Sequence, residues 1–285
     1  MKLSFLKSNL LKWVAGAICA VCAVILVMIL VKQFDQSRID PSFYQLSSNQ
    51  VTGSVRIVAL SDLHNREFGD QNSDLVDKVK SLQPDIIAIL GDMTISDGKY
   101  DYSVILSLCE KLKEIAPVYY GWGNHEYRDM LVEGNYTLKS ALEKLGVHLV
   151  NNTLVQAEVK GNIFSIGGIC TTPEYFYDNA DAFLQKYEKE AKGFKLLFSH
   201  RPSVFERVME PYPVDLALCG DTHGGQIILP LLGGLYTPDE GLFPDVTYGK
   251  YQMSGSTVIV SRGLGSSSWV PRFGNPPEIA VVDIN

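Results

Sequence analysis

Five apolar runs of this 285-residue chain end on side chains that hold metals or move protons. They are Asp62 and His64; Asp92; Asn124 and His125; His200; and Asp221 and His223. Four of the chain's five histidines fall in this set, and only His148 lies outside it. Any one pair reads equally well as a polar turn, so the recurrence carries the argument. The chemistry such a set serves is two-metal hydrolysis of a phosphate ester, with two divalent ions about 3.5–4 Å apart clamping an oxygen nucleophile. Imidazole mixed with carboxylate suits Mn, Fe or Zn better than an all-oxygen Mg site. One carboxylate must bridge the ions, and Asp92, alone at its strand end, is the natural candidate.

Positioning them requires strands that all deliver their ends to one place. The run 55–60 has the length and β-branching of a buried strand. Helical spacing over 70–82 leads to a strand at 85–90, a helix over 102–115 to a strand at 118–120, and a third helix covers 136–145. The stretches 149–159 and 162–169 read as paired strands turning at Lys160-Gly161. An acidic, Lys-rich helix over 179–192 and strands at 195–198, 214–218, 257–260 and 279–283 complete the chain. Alternation of this kind predicts an α/β fold: a two-sheet β-sandwich flanked by helices, forming one domain over 54–285. Loops at the carboxyl ends of strands are where α/β sheets hold ligands.

Asp62-Leu63-His64, Gly91-Asp92, Gly123-Asn124-His125-Glu126, His200 and Gly220-Asp221-Thr222-His223 stand in an order that resembles the five-block signature of the calcineurin-like metallophosphoesterases. Within them the chain is most similar to small bacterial membrane-associated phosphodiesterase-like proteins, given Ser199-His200-Arg201-Pro202, Gly224-Gly225-Gln226 and Pro276-Pro277-Glu278-Ile279. The resemblance implies that Asp62, His64 and His223 hold a first metal, that Asp92 bridges, and that Asn124 and His200 hold a second. It implies attack by a metal-bridging hydroxide, with His125 stabilising the transition state or protonating the leaving oxygen. One position departs: the family usually has His where this chain has Asp221. Either Asp221 ligates through oxygen, giving a harder second site, or it misses the metal and that site is weak. An enzyme cleaving phosphodiester or diphosphate bonds is therefore weighed against a weakly active metal-binding surface module. Gly224 and Gly225 either cradle phosphate or permit tight packing, and Arg201 and Arg262 either bind substrate phosphate or make ion pairs. His148, between Val147 and Leu149, reads as a packed strand residue without chemistry.

Residues 13–31 carry no charge, enough to span a bilayer as a helix. Lys2, Lys7 and Lys12 precede them, which places the amino terminus in the cytoplasm and the remainder outside. A cleaved signal peptide is the competing reading, though no A-x-A site follows Val31. Residues 1–32 are thus expected to be cytoplasmic tip and anchor, and 33–53 a polar stalk. Beyond Lys32 the chain holds 21 basic against 32 acidic residues, a formal charge of −11. That balance argues against a nucleic-acid partner, and the anchor places the site near lipid-linked or cell-wall phosphates. Cys109, Cys170 and Cys219 in the domain have no metal-type spacing and imply no disulfide framework.

Overall fold

Apolar runs from both halves of the chain pair into two six-stranded sheets. The structure is a computed structural model that describes residues 13–14, 16–23, 26, 38–169, 173–203, 205, 209–237, 240–266 and 270–285. The first sheet runs β1 (Asp40–Leu46), β16 (Glu278–Ile284), β2 (Val55–Leu60), β3 (Ile86–Ile89), β4 (Val118–Tyr120) and β5 (His148–Leu149). The second runs β14 (Gly249–Met253), β15 (Ser256–Val260), β9 (Leu216–Cys219), β8 (Phe194–Ser199), β7 (Asn162–Ile169) and β6 (Leu154–Val159). Strands β2 to β5 are parallel, as are β7, β8, β9 and β15, so both sheets deliver their carboxyl ends to one edge of the sandwich.

Three apolar layers hold this arrangement. Ile57, Ala59, Ile86, Ala88, Phe164, Leu196 and Leu216 fill the space between the sheets. Opposite side chains of the same strands, such as Val58, Leu60, Ile87 and Ile89, pack under α1 (Ser73–Ser81), α2 (Ser103–Leu112) and α4 (Thr137–Leu145). Residues buried on both faces explain why β3, and β2 apart from Arg56, read as continuous apolar runs. On the far side α5 (Pro173–Glu190) lays Phe183, Leu184 and Tyr187 on the second sheet. A four-residue helix, α3 (Asn124–Tyr127), follows β4 directly.

Residues 40–46, expected as stalk, instead form edge strand β1, parallel to β16 along its full length. Their partner lies more than 230 residues later, so no local pattern announces the pairing. Pro41 is tolerated because an edge strand has a side that donates no ladder hydrogen bond. His148 lies in β5 as expected, but it is exposed and stacked on Tyr119 with ring centroids 4.9 Å apart. Of the anchor expected over 13–31, residues 13–14, 16–23 and 26 are helical and the rest lies outside the described residues. Among the described residues no helix is long and apolar enough to cross a membrane.

Candidate metal centre

Beyond β2 and β3 the chain keeps pairing past the strands, with Asp62 N–H donating to Gly91 O (3.0 Å) and His64 N–H to Asp92 O (3.1 Å). The backbone there turns through the left-handed region: φ is +55° at Asp62, +49° at His64, +52° at Asp92, +68° at Asp221 and +48° at His223. Such values are uncommon outside glycine, and Asp and His are among the residues that tolerate them best. Strain concentrated at five candidate ligands is the pattern of a site whose geometry outranks local comfort. Gly91 and Gly123 are required by close approach. A Cβ on Gly91 would stand 2.1 Å from the Gly123 nitrogen, and one on Gly123 would stand 2.1 Å from Asp92 Oδ1.

The side chains converge. One ligand atom from each of Asp62, His64 and His223 lies within 4.8 Å of the others, and the same holds for Asp62, Asp92 and His200 and for His64, Asp92 and His125. Asp92 thus joins the neighbourhood of His64 to that of His200, as a bridging carboxylate must. Asp62 also belongs to two groups. His200 Nε2 lies 3.3 Å from Asp92 Oδ2, 3.6 Å from Asp221 Oδ1 and 3.9 Å from Asp62 Oδ1. Its Nδ1–H donates to Leu90 O at 2.8 Å, which fixes the ring and aims Nε2 at the carboxylates.

The donor set fits divalent metals. Both ring nitrogens of His64, Nδ1 of His223, Nε2 of His200 and Oδ1 of Asn124 are buried and make no hydrogen bond. Buried polar atoms are ordinarily paired, and one nitrogen of each neutral imidazole, together with the Asn124 oxygen, has a lone pair to offer a metal. Electrostatics agree. Burial pushes the His64 pKa down to about 4 and that of His223 well below its ordinary value, which keeps both imidazoles neutral and able to ligate. Burial raises Asp62 to about 6. Burial also opposes the His200 cation, but Asp92, Asp62 and Asp221 outweigh it and lift its pKa to about 10, so without a metal the ring is a cation paired with these carboxylates and a metal at Nε2 would replace its proton. Asp92 is likewise penalised by burial, yet His200, His64 and His125 hold its carboxyl below the usual range. Three carboxylates in one buried pocket demand cations.

His125 differs from the other histidines. Its Nδ1 accepts the Ser96 backbone N–H at 2.9 Å, while its Nε2 lies 3.9 Å from Asp92 Oδ2. An accepting Nδ1 leaves the proton of the neutral ring on Nε2. That nitrogen then has no lone pair to give a metal.

Several supporting residues carried no role in the sequence reading. Glu126 is fully buried and accepts from Asp92 N (2.8 Å), Met93 N (2.8 Å), Gly123 N (3.0 Å) and Tyr120 Oη (2.8 Å). It binds the β3 and β4 ends into one unit. Arg272, also buried, donates to the carbonyls of Arg262, Gly265, Asn275 and Pro276, and burial lowers its pKa to about 9. Asn275 Nδ2 in turn donates to His223 O (2.7 Å). Only the adjacency of Glu126 to Asn124-His125 hinted at any of this.

The candidate substrate contacts separate. Arg201 Nε lies 3.5 Å from Asp221 Oδ1, at the cluster. Arg262 is engaged by Glu278 (3.4 Å) and Ser42 (3.3 Å). A Cβ on Gly224 would meet Arg262 Cγ at 2.8 Å and one on Gly225 would meet Gly234 Cα at 2.6 Å, so both glycines serve close packing.

A two-sheet sandwich that gathers imidazoles and carboxylates at one set of strand ends is the architecture of a metallohydrolase. The family model for calcineurin-like phosphoesterases matches residues 55–225, and the chain belongs to that family. It is a metal-dependent phosphoester hydrolase. The phosphodiesterase YaeI of Escherichia coli (strain K12) is 29% identical over 262 residues, covering 86% of this chain and 90% of its own. The metallophosphoesterase YkuE of Bacillus subtilis (strain 168) is 28% identical over 232 residues, 79% of this chain and 77% of its own. A transmembrane protein with metallophosphoesterase domain from Danio rerio is 27% identical over 248 residues, 79% of this chain and 52% of its own.

Proposed function

We propose that the chain is a membrane-anchored, binuclear phosphoesterase that cleaves phosphodiester or diphosphate bonds outside the cytoplasm. The observation that carries this is Asp92, which stands between the His64 and His200 groups at a distance suited to sharing. Asp62, His64 and His223 would hold one ion, Asn124 and His200 the other with Asp221, and Asp92 both. Two divalent ions supply Lewis acidity and a lowered pKa for water. Asp62 and Asp92 bring the negative charge that retains cations, and Leu90 O holds the His200 ring in register. His125 presents Nε2–H toward the reacting phosphate. Because Nδ1 is already an acceptor, complete transfer of the Nε2 proton would leave an imidazolate. The ring therefore assists the leaving group by hydrogen bonding to the charge that develops there.

Diester cleavage and membrane anchoring draw on different support. YaeI is named a phosphodiesterase, and the Danio rerio relative is named a transmembrane protein. The uncharged run 13–31 supports the anchor. Trp13, Ile18, Val21 and Leu26 within it are each more than half exposed, so the domain does not bury them. In this reading the phosphate ester is lipid-linked or part of the cell wall. A second reading, a weakly active surface module, draws on Arg201, whose charge beside Asp221 competes with a metal for that carboxylate.

Full-length chain loaded with Mn²⁺ is expected to hydrolyse bis(p-nitrophenyl) phosphate faster than p-nitrophenyl phosphate. A monoester preference overturns the diester assignment. Labelling Ser37→Cys with a membrane-impermeant maleimide on intact cells is expected to succeed. Protection until lysis places the domain on the other side.

A further inference from the structure

The direction of β1 settles where the chain enters the domain. Asp40, its first residue, pairs in register with Glu278, and Asp40 N–H donates to Pro277 O at 2.8 Å. Strand β16 is antiparallel to β2, with Ala280 opposite Ala59, so Glu278 lies level with the Asp62 end of β2. Asp40 is therefore two strand spacings, about 10 Å, from the end of β2 that leads into Asp62. Had β1 run the other way, entry would lie at the opposite edge of the sandwich. From Val31, the last residue of the uncharged run, nine residues reach Asp40. Fully extended they span about 30 Å.

The same edge carries four exposed apolar side chains, Leu231, Leu232, Leu242 and Phe243. Two small hairpins, β10 (Ile228–Leu229) with β11 (Gly233–Gly234) and β12 (Tyr236–Thr237) with β13 (Gly241–Leu242), rise from the turn that carries His223. Leu235 N–H donates to Gly225 O (3.1 Å) and Phe243 N–H to Leu235 O (2.9 Å), rooting both hairpins there. Leu231 at the first tip is fully exposed, and Leu232, Leu242 and Phe243 expose 64–72% of their surface. Leu231 and Phe243 have φ of +72° and +58°. For bulky side chains that backbone is a true outlier, and here it is spent on turning them toward solvent. Leu231 is six residues beyond Gly225, a reach of about 20 Å at most.

We propose that the mouth of the metal site faces the bilayer, with the turns at Leu231-Leu232 and Leu242-Phe243 seated among lipid headgroups. The inference rests on the reading of residues 13–31 as an anchor and adds an orientation to it. The substrate class is then a phosphoester presented at headgroup depth, about 5–10 Å into the interface. Between Ile227 and Phe243 the sequence holds two acids, Asp239 and Glu240, and no base, and the chain beyond Lys32 carries a formal −11. Seating is therefore apolar, and neither added salt nor anionic lipid strengthens it.

The test uses full-length chain reconstituted in phosphatidylcholine vesicles, in a Cys19→Ser, Cys22→Ser, Cys170→Ser background. An environment-sensitive fluorophore is placed at Leu231→Cys or Leu242→Cys, with Lys189→Cys on α5 as reference. The expected result is quenching by acyl-brominated lipid and shielding from aqueous iodide at 231 and 242, with the reverse at 189, unchanged by salt. Equal iodide access at all three positions overturns the orientation while leaving the anchor intact. Shielding from iodide without quenching by brominated lipid reports a protein partner or second copy and also overturns it. Failure of the chain to enter vesicles at all overturns the anchor and this inference together.

Discussion

Ser96 gives its backbone N–H to Nδ1 of His125 at 2.9 Å, and that single hydrogen bond decides what the ring does. With Nδ1 accepting, Nε2 carries the proton and faces the site as a donor. His125→Gln is expected to keep both metals while kcat falls by about 10²–10⁴, the usual range for a positioned proton donor. Metal content per chain and steady-state rates measured on one preparation check this. Loss of an ion from the variant would make the ring a ligand.

Glu126 accepts three backbone N–H groups and the Tyr120 hydroxyl without any exposure to solvent. Glu126→Gln turns one acceptor into a donor facing donors, which costs about 3 kcal/mol. Tyr120→Phe removes one bond and is expected to cost about 1 kcal/mol. Urea midpoints at constant slope give both values. Equal losses for the two would mean that Glu126 does not brace the β3 and β4 ends.

The convergence of these side chains was legible because every candidate ligand follows an apolar strand, and strand ends of a parallel sheet meet at one edge. Asp62, Asp92 and His223 needed only that rule. The brace was not legible, since Glu126 acquires its role when Tyr120, Asp92 and Gly123 arrive around it from two strands. Arg272 gave no signal, as its partners are backbone carbonyls that any sequence supplies and the side-chain oxygen of Asn275. The strand over 40–46 reads as linker by composition, and only pairing with β16 reveals it.

Asp283 on β16 accepts from Arg56 of β2 through Nε (2.6 Å) and the second guanidinium nitrogen (3.0 Å). The hydrogen bond from Arg56 holds its carboxyl below the usual range. A depressed carboxylate stabilises the fold above its unfolded pKa, near 3.9, and that share is lost as pH falls through the folded value. Arg56 is a third exposed, so the pair contributes about 1 kcal/mol. Asp283→Asn is expected to lose that amount at pH 7 and to converge on the parent below about pH 4. Parallel acid profiles would show that the pair contributes nothing.

Asp221 lies 3.6 Å from His200 Nε2 and 3.5 Å from Arg201 Nε. If it ligates, Asp221→Ala weakens the second ion by more than the about 10–100-fold lost with a supporting partner. Isothermal titration with Mn²⁺ reads this directly. An unchanged second affinity would assign the carboxylate to Arg201.

The central claim is that Asp92 is shared by two ions. The most direct measurement compares full-length parent and Asp92→Asn for metal per chain and for Mn²⁺-stimulated hydrolysis of bis(p-nitrophenyl) phosphate. Two ions are predicted for the parent and fewer for the variant, with a rate loss beyond the about 10²–10³-fold that follows removal of one transition-state donor. A variant that keeps two ions and the parent's rate would contradict the account.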